Sequence, residues 1–177
     1  MGSSIAPFGP SLNRGVRKNQ PCVAGRNRPE GACQTAAREE NRTMAKIPQE
    51  IQEFIKGKMA WVSTASPDAM PNATPKGSVQ VIDDEHLVFA DLFSLKTREN
   101  LKANPKIAVT VVDEKSYKGY QFKGSAELLT AGPLFDQVAE KVKNAPMKLP
   151  PVNYVVKITV ESIYDQSVGP EAGKKIG

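Results

Sequence analysis

Cysteine and histidine are scarce in this 177-residue chain, and the scarcity excludes whole classes of chemistry. Both cysteines, Cys22 and Cys33, lie in the first 43 residues, and the only histidine is His86. From residue 44 onward there is no thiol to act as nucleophile, no pair to form a disulfide and no Cys-based zinc site. One histidine cannot supply a His-based metal site, and a hydrolytic triad on His86 is effectively excluded. His86 follows the turn-like Asp83-Asp84-Glu85 and reads as a surface residue at a strand start. Long apolar runs are also missing: none approaches the roughly 20 residues of a membrane-spanning helix. A secretory signal needs an apolar h-region, which the N-terminal stretch lacks. These readings predict a cytoplasmic protein with no membrane partner.

Charge is unevenly placed. The formal net charge is +5, yet residues 1–43 hold seven Lys/Arg against three Glu, so residues 44–177 stand near neutrality at +1. The body has no basic stripe interleaved with aromatics, so no nucleic-acid partner is expected. Residues 1–43 are rich in Gly, Pro, Asn, Arg and Ser and show no period of 2 or 3.6. They read as a disordered basic leader or an added upstream extension, with a basic interaction arm as the alternative. Met44, followed at once by patterned sequence, reads as the natural start. The expected domain is therefore 44–177.

That domain reads as mainly β. A helix is expected over 48–56, with Ile47, Ile51, Phe54 and Ile55 on one face and Gly57 ending it. Strands are expected over 59–65, 72–82, 86–92, 106–112, 120–130 and 153–163. The second contains Pro75 and Gly77, which signal an edge strand, a bulge or a close approach of backbone to a ligand. Gly124 marks a bulge or close contact in the fifth. Helices are expected over 95–103 and 134–144. Six strands joined mainly by short turns predict a mainly β, six-stranded antiparallel Greek-key barrel with short helices. Neither a dinucleotide glycine turn nor a Walker loop is present.

The densest chemistry lies in Ser94-Leu95-Lys96-Thr97, at the mouth of the helix between two strands. The free N–H groups and positive dipole end of a helix favour an anion. A lysine charge and two hydroxyls there suit a phosphate monoester. The same residues also fit an N-cap serine followed by a solvated first turn.

Several segments in order carry a family resemblance: Met59–Ala65, Asn72-Ala73-Thr74-Pro75-Lys76-Gly77-Ser78, Ser94-x-Lys96-Thr97-x-x-Asn100-Leu101-x-x-Asn104-Pro105, Phe122-Lys123-Gly124-Ser125-Ala126-Glu127, and the tail from Tyr164. Together they resemble the FMN-binding split-barrel superfamily, which includes pyridoxamine 5′-phosphate oxidase and small FMN-binding proteins, over essentially all of 44–177. The resemblance implies a split barrel of the FMN-binding type, FMN as cofactor, and a homodimer with flavins at the subunit interface. It implies that Lys96 and Thr97 bind the 5′-phosphate, with Ser94 helping by its hydroxyl or by capping. It implies that the backbone around Thr74, Pro75, Lys76 and Gly77 lies along the isoalloxazine ring, and it adds Gln121 as a cofactor contact. Pro75 fits equally an ordinary edge-strand proline. No catalytic residue and no metal ligand is implied. The chain has no equivalent of the oxidase's C-terminal Arg/His substrate cluster, since only Lys174 and Lys175 follow the last strand. An FMN flavoprotein that is an oxidoreductase or electron carrier is therefore expected, rather than a pyridoxamine phosphate oxidase. The alternatives are a non-catalytic flavin-binding protein or a relative that binds a deazaflavin. The polar tail, with Tyr164, Val168 and Ile176, is expected to dock on a partner subunit.

Overall fold

Seven strands form one antiparallel sheet in the order β2-β1-β5-β6-β7-β4-β3. The structure is a computed structural model that describes residues 44–177, so the leader 1–43 lies outside the described residues. The elements run α1 (Gln49–Ile55), β1 (Ala60–Ala65), β2 (Pro71–Lys76), β3 (Gln80–Val81), β4 (His86–Asp91), α2 (Leu95–Ala103), β5 (Lys106–Asp113), β6 (Lys118–Leu129), α3 (Pro133–Lys143) and β7 (Tyr154–Asp165).

The expected strand over 72–82 is two strands, which makes seven in place of six. The chain leaves the sheet at Gly77-Ser78-Val79, and β2 and β3 become its two opposite edges. Three residues reach no further than about 14 Å between flanking strand ends at about 3.5 Å per residue. So short a link forces the outer strands of a seven-stranded sheet towards each other. The sheet must curl into a barrel left open along part of its seam. The Ser78 hydroxyl fastens the link to β4, accepting from the Ala90 N–H at 3.2 Å.

Strand alternation fills the interior. Val62, Val109, Phe122, Phe89 and Ile158 point inward and are almost fully buried. On α1, Ile51 and Ile55 are four residues apart, so one face delivers both to the same core. Gly57 follows that helix at φ +70°, the left-handed conformation glycine reaches without Cβ strain. A second small core of Val88, Ala90, Val138 and Val155 sits under α3 on the other face of the sheet.

Gly124 marks a close contact, as its sequence context predicts. The β6–β7 register pairs Lys123 with Ser162 and Gly124 with Val160, leaving Glu161 as the extra residue of a bulge. A Cβ at Gly124 would stand 2.0 Å from the Thr159 carbonyl oxygen. The tail after β7 turns back on its own strand. Its end lies along β7 of its own chain: Tyr164 bridges Lys175, and the N–H groups of Ile163 and Ile176 donate to Gly177 and Ile163 at 2.9 Å. The backbone of β7 needs partners there, and the chain's own tail supplies them. Val168 remains exposed.

Candidate functional site at the start of helix α2

Helix α2 has the bounds its sequence predicts, and its first turn contains no acidic residue. The capping expected of Ser94 does not occur, because its side chain makes no cap hydrogen bond. Its hydroxyl instead accepts from the Lys76 ammonium at 2.5 Å, while its N–H donates to Asp91 Oδ1 at 3.2 Å. Lys76 also donates to Asp91 Oδ1 at 2.9 Å, and both side chains are buried, at 9% and 4% exposure. The carboxylate of Asp91 thus sits at the helix start, balanced by an internal lysine.

Thr97 is 1% exposed, and its hydroxyl lies 3.2 Å from both Asn72 Nδ2 and Thr74 Oγ1. Thr64 Oγ1 accepts from Asn72 at 3.3 Å and from Asn100 at 3.0 Å. Five polar side chains from β1, β2 and α2 therefore satisfy one another. Burial makes unpaired polar atoms costly, so this network fixes the pose of α2 on the edge strand. Thr97 contributes its hydroxyl to that network, which leaves its backbone N–H as the group available to an anion. First-turn N–H groups of a helix have no partner within the helix.

Lys96 points the other way. Its side chain is 57% exposed, with Glu99 at 3.5 Å. Asp68 lies close enough to feel its charge. The carboxyl of Asp68 is held below its ordinary value, chiefly by a hydrogen bond from the Ser66 hydroxyl, with backbone N–H bonds and, to a lesser extent, Lys96 adding to it against an opposing burial effect.

The predicted residues fall into two groups. Thr74 and Lys76 alternate onto the inner face of β2 and join Ser94 and Thr97 beside α2. Pro75 faces outward. Its register partner is Trp61, followed across the sheet by Thr110 and Gln121. Gln121 donates to Thr110 Oγ1 at 3.3 Å. Gln121 is thus three strands from Pro75 on the outer face, and the period of 2 keeps it away from the Lys76 group. At Gly77 a Cβ would meet only Met59 Cε, at 3.8 Å. Packing within the protein leaves room for a side chain there.

Sequence reasoning missed Asp91, Asn72 and Thr64 as parts of this site, and gave Asn100 no role. Asp91 carried a signal: an acid closing an apolar strand three residues before a helix cap. Asn72 and Thr64 carried none, because their partners are 8 to 36 residues away.

Residues 47–167 match the family profile described as Pyridoxamine 5′-phosphate oxidase. The chain belongs to that family of flavin-binding split barrels. An uncharacterized protein of Methanocaldococcus jannaschii, MJ0282, is 35% identical over 138 residues, covering 76% of this chain and 90% of that protein. Among solved structures, HupZ of Group A Streptococcus is 30% identical with a TM-score of 0.64, covering 72% of this chain and 99% of that one. An FMN-binding protein of Syntrophomonas wolfei shares the fold at 21% identity and a TM-score of 0.59, covering 66% of this chain and 82% of that one.

The residues present fit a flavin mononucleotide. Lys96 and the free N–H groups of the α2 first turn suit its phosphate. Edge strand β2 bonds only to β1, so half of its backbone polar groups face outward, where a heterocycle with donors and acceptors can meet them. Gly77 keeps the backbone bare beside that edge.

Proposed function

We propose that the protein is an FMN-binding flavoprotein acting as an oxidoreductase or electron carrier. The observation that carries this reading is the solvent-facing Lys96 on the first turn of α2, held beside the free edge of β2 by the Thr97 network. Lys96 and the N–H groups of Lys96 and Thr97 bind the phosphate. The edge of Thr74–Gly77 receives the ring. Lys76 balances Asp91, so that the carboxylate does not repel the incoming phosphate. When bound, the flavin supplies hydride or single-electron transfer, chemistry that no side chain here performs alone.

The functional unit in this reading is a homodimer. The outer face of β2-β1-β5-β6 carries small side chains, Ala73, Ser63 and Ala108, around a Trp61 that is 40% exposed. A flat face of this kind packs well against a second copy, and Gln121 then reaches the partner's flavin.

Titration followed by flavin absorbance and fluorescence tests the reading. FMN should bind saturably. Lys96→Ala should weaken FMN by about 1.5–3 kcal/mol, roughly one to two decades, through loss of a charge-assisted contact. Riboflavin, which lacks the phosphate, should bind parent and variant alike. Equal losses for both ligands would remove Lys96 from the phosphate site, and no flavin binding at all would end the proposal.

A further inference from the structure

We propose that the cavity between α3 and the connector that follows it binds an uncharged, largely apolar molecule carrying a hydrogen-bond acceptor. The cavity has a volume of about 760 Å³ and is lined by residues within 135–152, so it takes nothing from β2, β4 or α2. That volume is in the range of small-molecule sites. Helix α3 buries Val138 in the small core on the sheet, while its Phe135 and Val142 are only partly covered there and also line the cavity. Pro146, Leu149 and Pro150 add apolar surface from the connector. Four charged side chains stand in the lining, Asp136, Glu140, Lys143 and Lys148, and their charges cancel. Glu140 and Lys143 already pair at 3.8 Å. A wall with no net charge gives an ion nothing to offset the water it would lose.

The connector sets the polar part of the ligand. Pro146, Pro150 and Pro151 have no N–H, and the N–H groups of Met147, Lys148, Leu149 and Val152 donate to no backbone carbonyl among the described residues. A hydrocarbon lying against this stretch would shut those donors off from water and leave them unpaired. A molecule with a carbonyl oxygen can accept from one of them. Met147 is 70% exposed at the same stretch, and its unbranched thioether chain can fold over ligands of different shape.

This inference goes beyond the flavin reading and does not rest on it. Equilibrium dialysis of the full chain, with and without saturating FMN, tests it with 2-acetylnaphthalene, its hydrocarbon isostere 2-isopropenylnaphthalene, naphthalene-2-carboxylate and naphthalen-2-ylmethylammonium. The ketone should bind saturably, severalfold more tightly than the hydrocarbon and at least about tenfold more tightly than either ion. Ala139→Phe places a ring in the cavity from a half-exposed position on α3 and should weaken the ketone by about tenfold or more, with circular dichroism checking the fold. Lys148→Gln should leave the ketone unchanged. No saturable binding, tighter binding of either ion, a ketone held no better than the hydrocarbon, or a ketone affinity that folded Ala139→Phe leaves intact overturns the proposal. Displacement of the ketone by FMN also overturns it, since the cavity would then belong to the flavin, whose own binding would stand. Ketone binding in a protein that takes up no FMN would leave this cavity standing and end the flavin reading instead.

Discussion

The Lys76 ammonium and the Asp91 carboxylate form a buried ion pair at 2.9 Å that ties the end of β2 to the end of β4. Removing one partner leaves a charge that burial has cut off from water. Asp91→Leu should therefore destabilise the fold by about 3–5 kcal/mol, whereas the double variant Lys76→Met, Asp91→Leu should lose less than the sum of the two single changes. Urea unfolding of the four proteins gives the coupling directly. Additive losses would mean that the pair contributes nothing as a pair.

Thr97 offers a test of what its hydroxyl is for. Thr97→Val keeps the shape and removes the atom shared by Asn72 and Thr74, so stability should fall by about 1–2 kcal/mol. Thr97→Ser should restore most of it. The FMN affinity of Thr97→Ser should match the parent, because the backbone N–H proposed for the phosphate is retained.

At Gly124 the outcome is set by backbone geometry. Thr159 sits where a Cβ would go, and a carbonyl cannot rotate away as a side chain can. Gly124→Ala should lower the melting temperature by well over ten degrees or prevent folding, an effect of the size expected for severe overpacking. A variant with parental stability would mean that the bulge at Glu161 readily yields.

For Asp68 the prediction concerns pH. Its carboxyl titrates below the ordinary 3.8 when folded. The stabilisation from its hydrogen bond is then fully present above that ordinary value and is lost as pH falls through the lower folded midpoint. Carbon-detected NMR should find that midpoint below the ordinary value in the parent and shifted back up in Ser66→Ala. An unchanged midpoint in the variant would remove Ser66 as the main cause.

Much of the barrel was legible because its signals are local. Helix α2 runs from a serine to an Asn-Pro stop, and β7 alternates Val156, Ile158 and Val160 with exposed-side polar residues. The break at 77–79 was not legible, because residues 72–82 read as one extended run and only closure of the sheet splits them. Likewise the sequence places Lys76 and Asp91 fifteen residues apart with nothing to pair them. The inward turn of the Thr97 hydroxyl was not legible either, because a hydroxyl at a helix mouth usually faces outward. Its burial depends on Asn72 and Thr74, which arrive from another strand.

The tail that closes along β7 bears on how this molecule can polymerise. Residues 160–165 of β7 lie beyond the stretch covered by β4. Ala45, Glu85 and the terminal residues Gly173–Gly177 occupy their outward hydrogen bonds. The outermost strands are β3, two residues long, and β2, which lacks two N–H groups at Pro71 and Pro75. Such edges are poor templates for a foreign strand. Strand addition is therefore disfavoured at β2, at β3 and along the end of β7. Removing the last eleven residues, after Gln166, would uncover an edge with fully buried Ile163 at its centre and turn a guarded barrel into an aggregation-prone one.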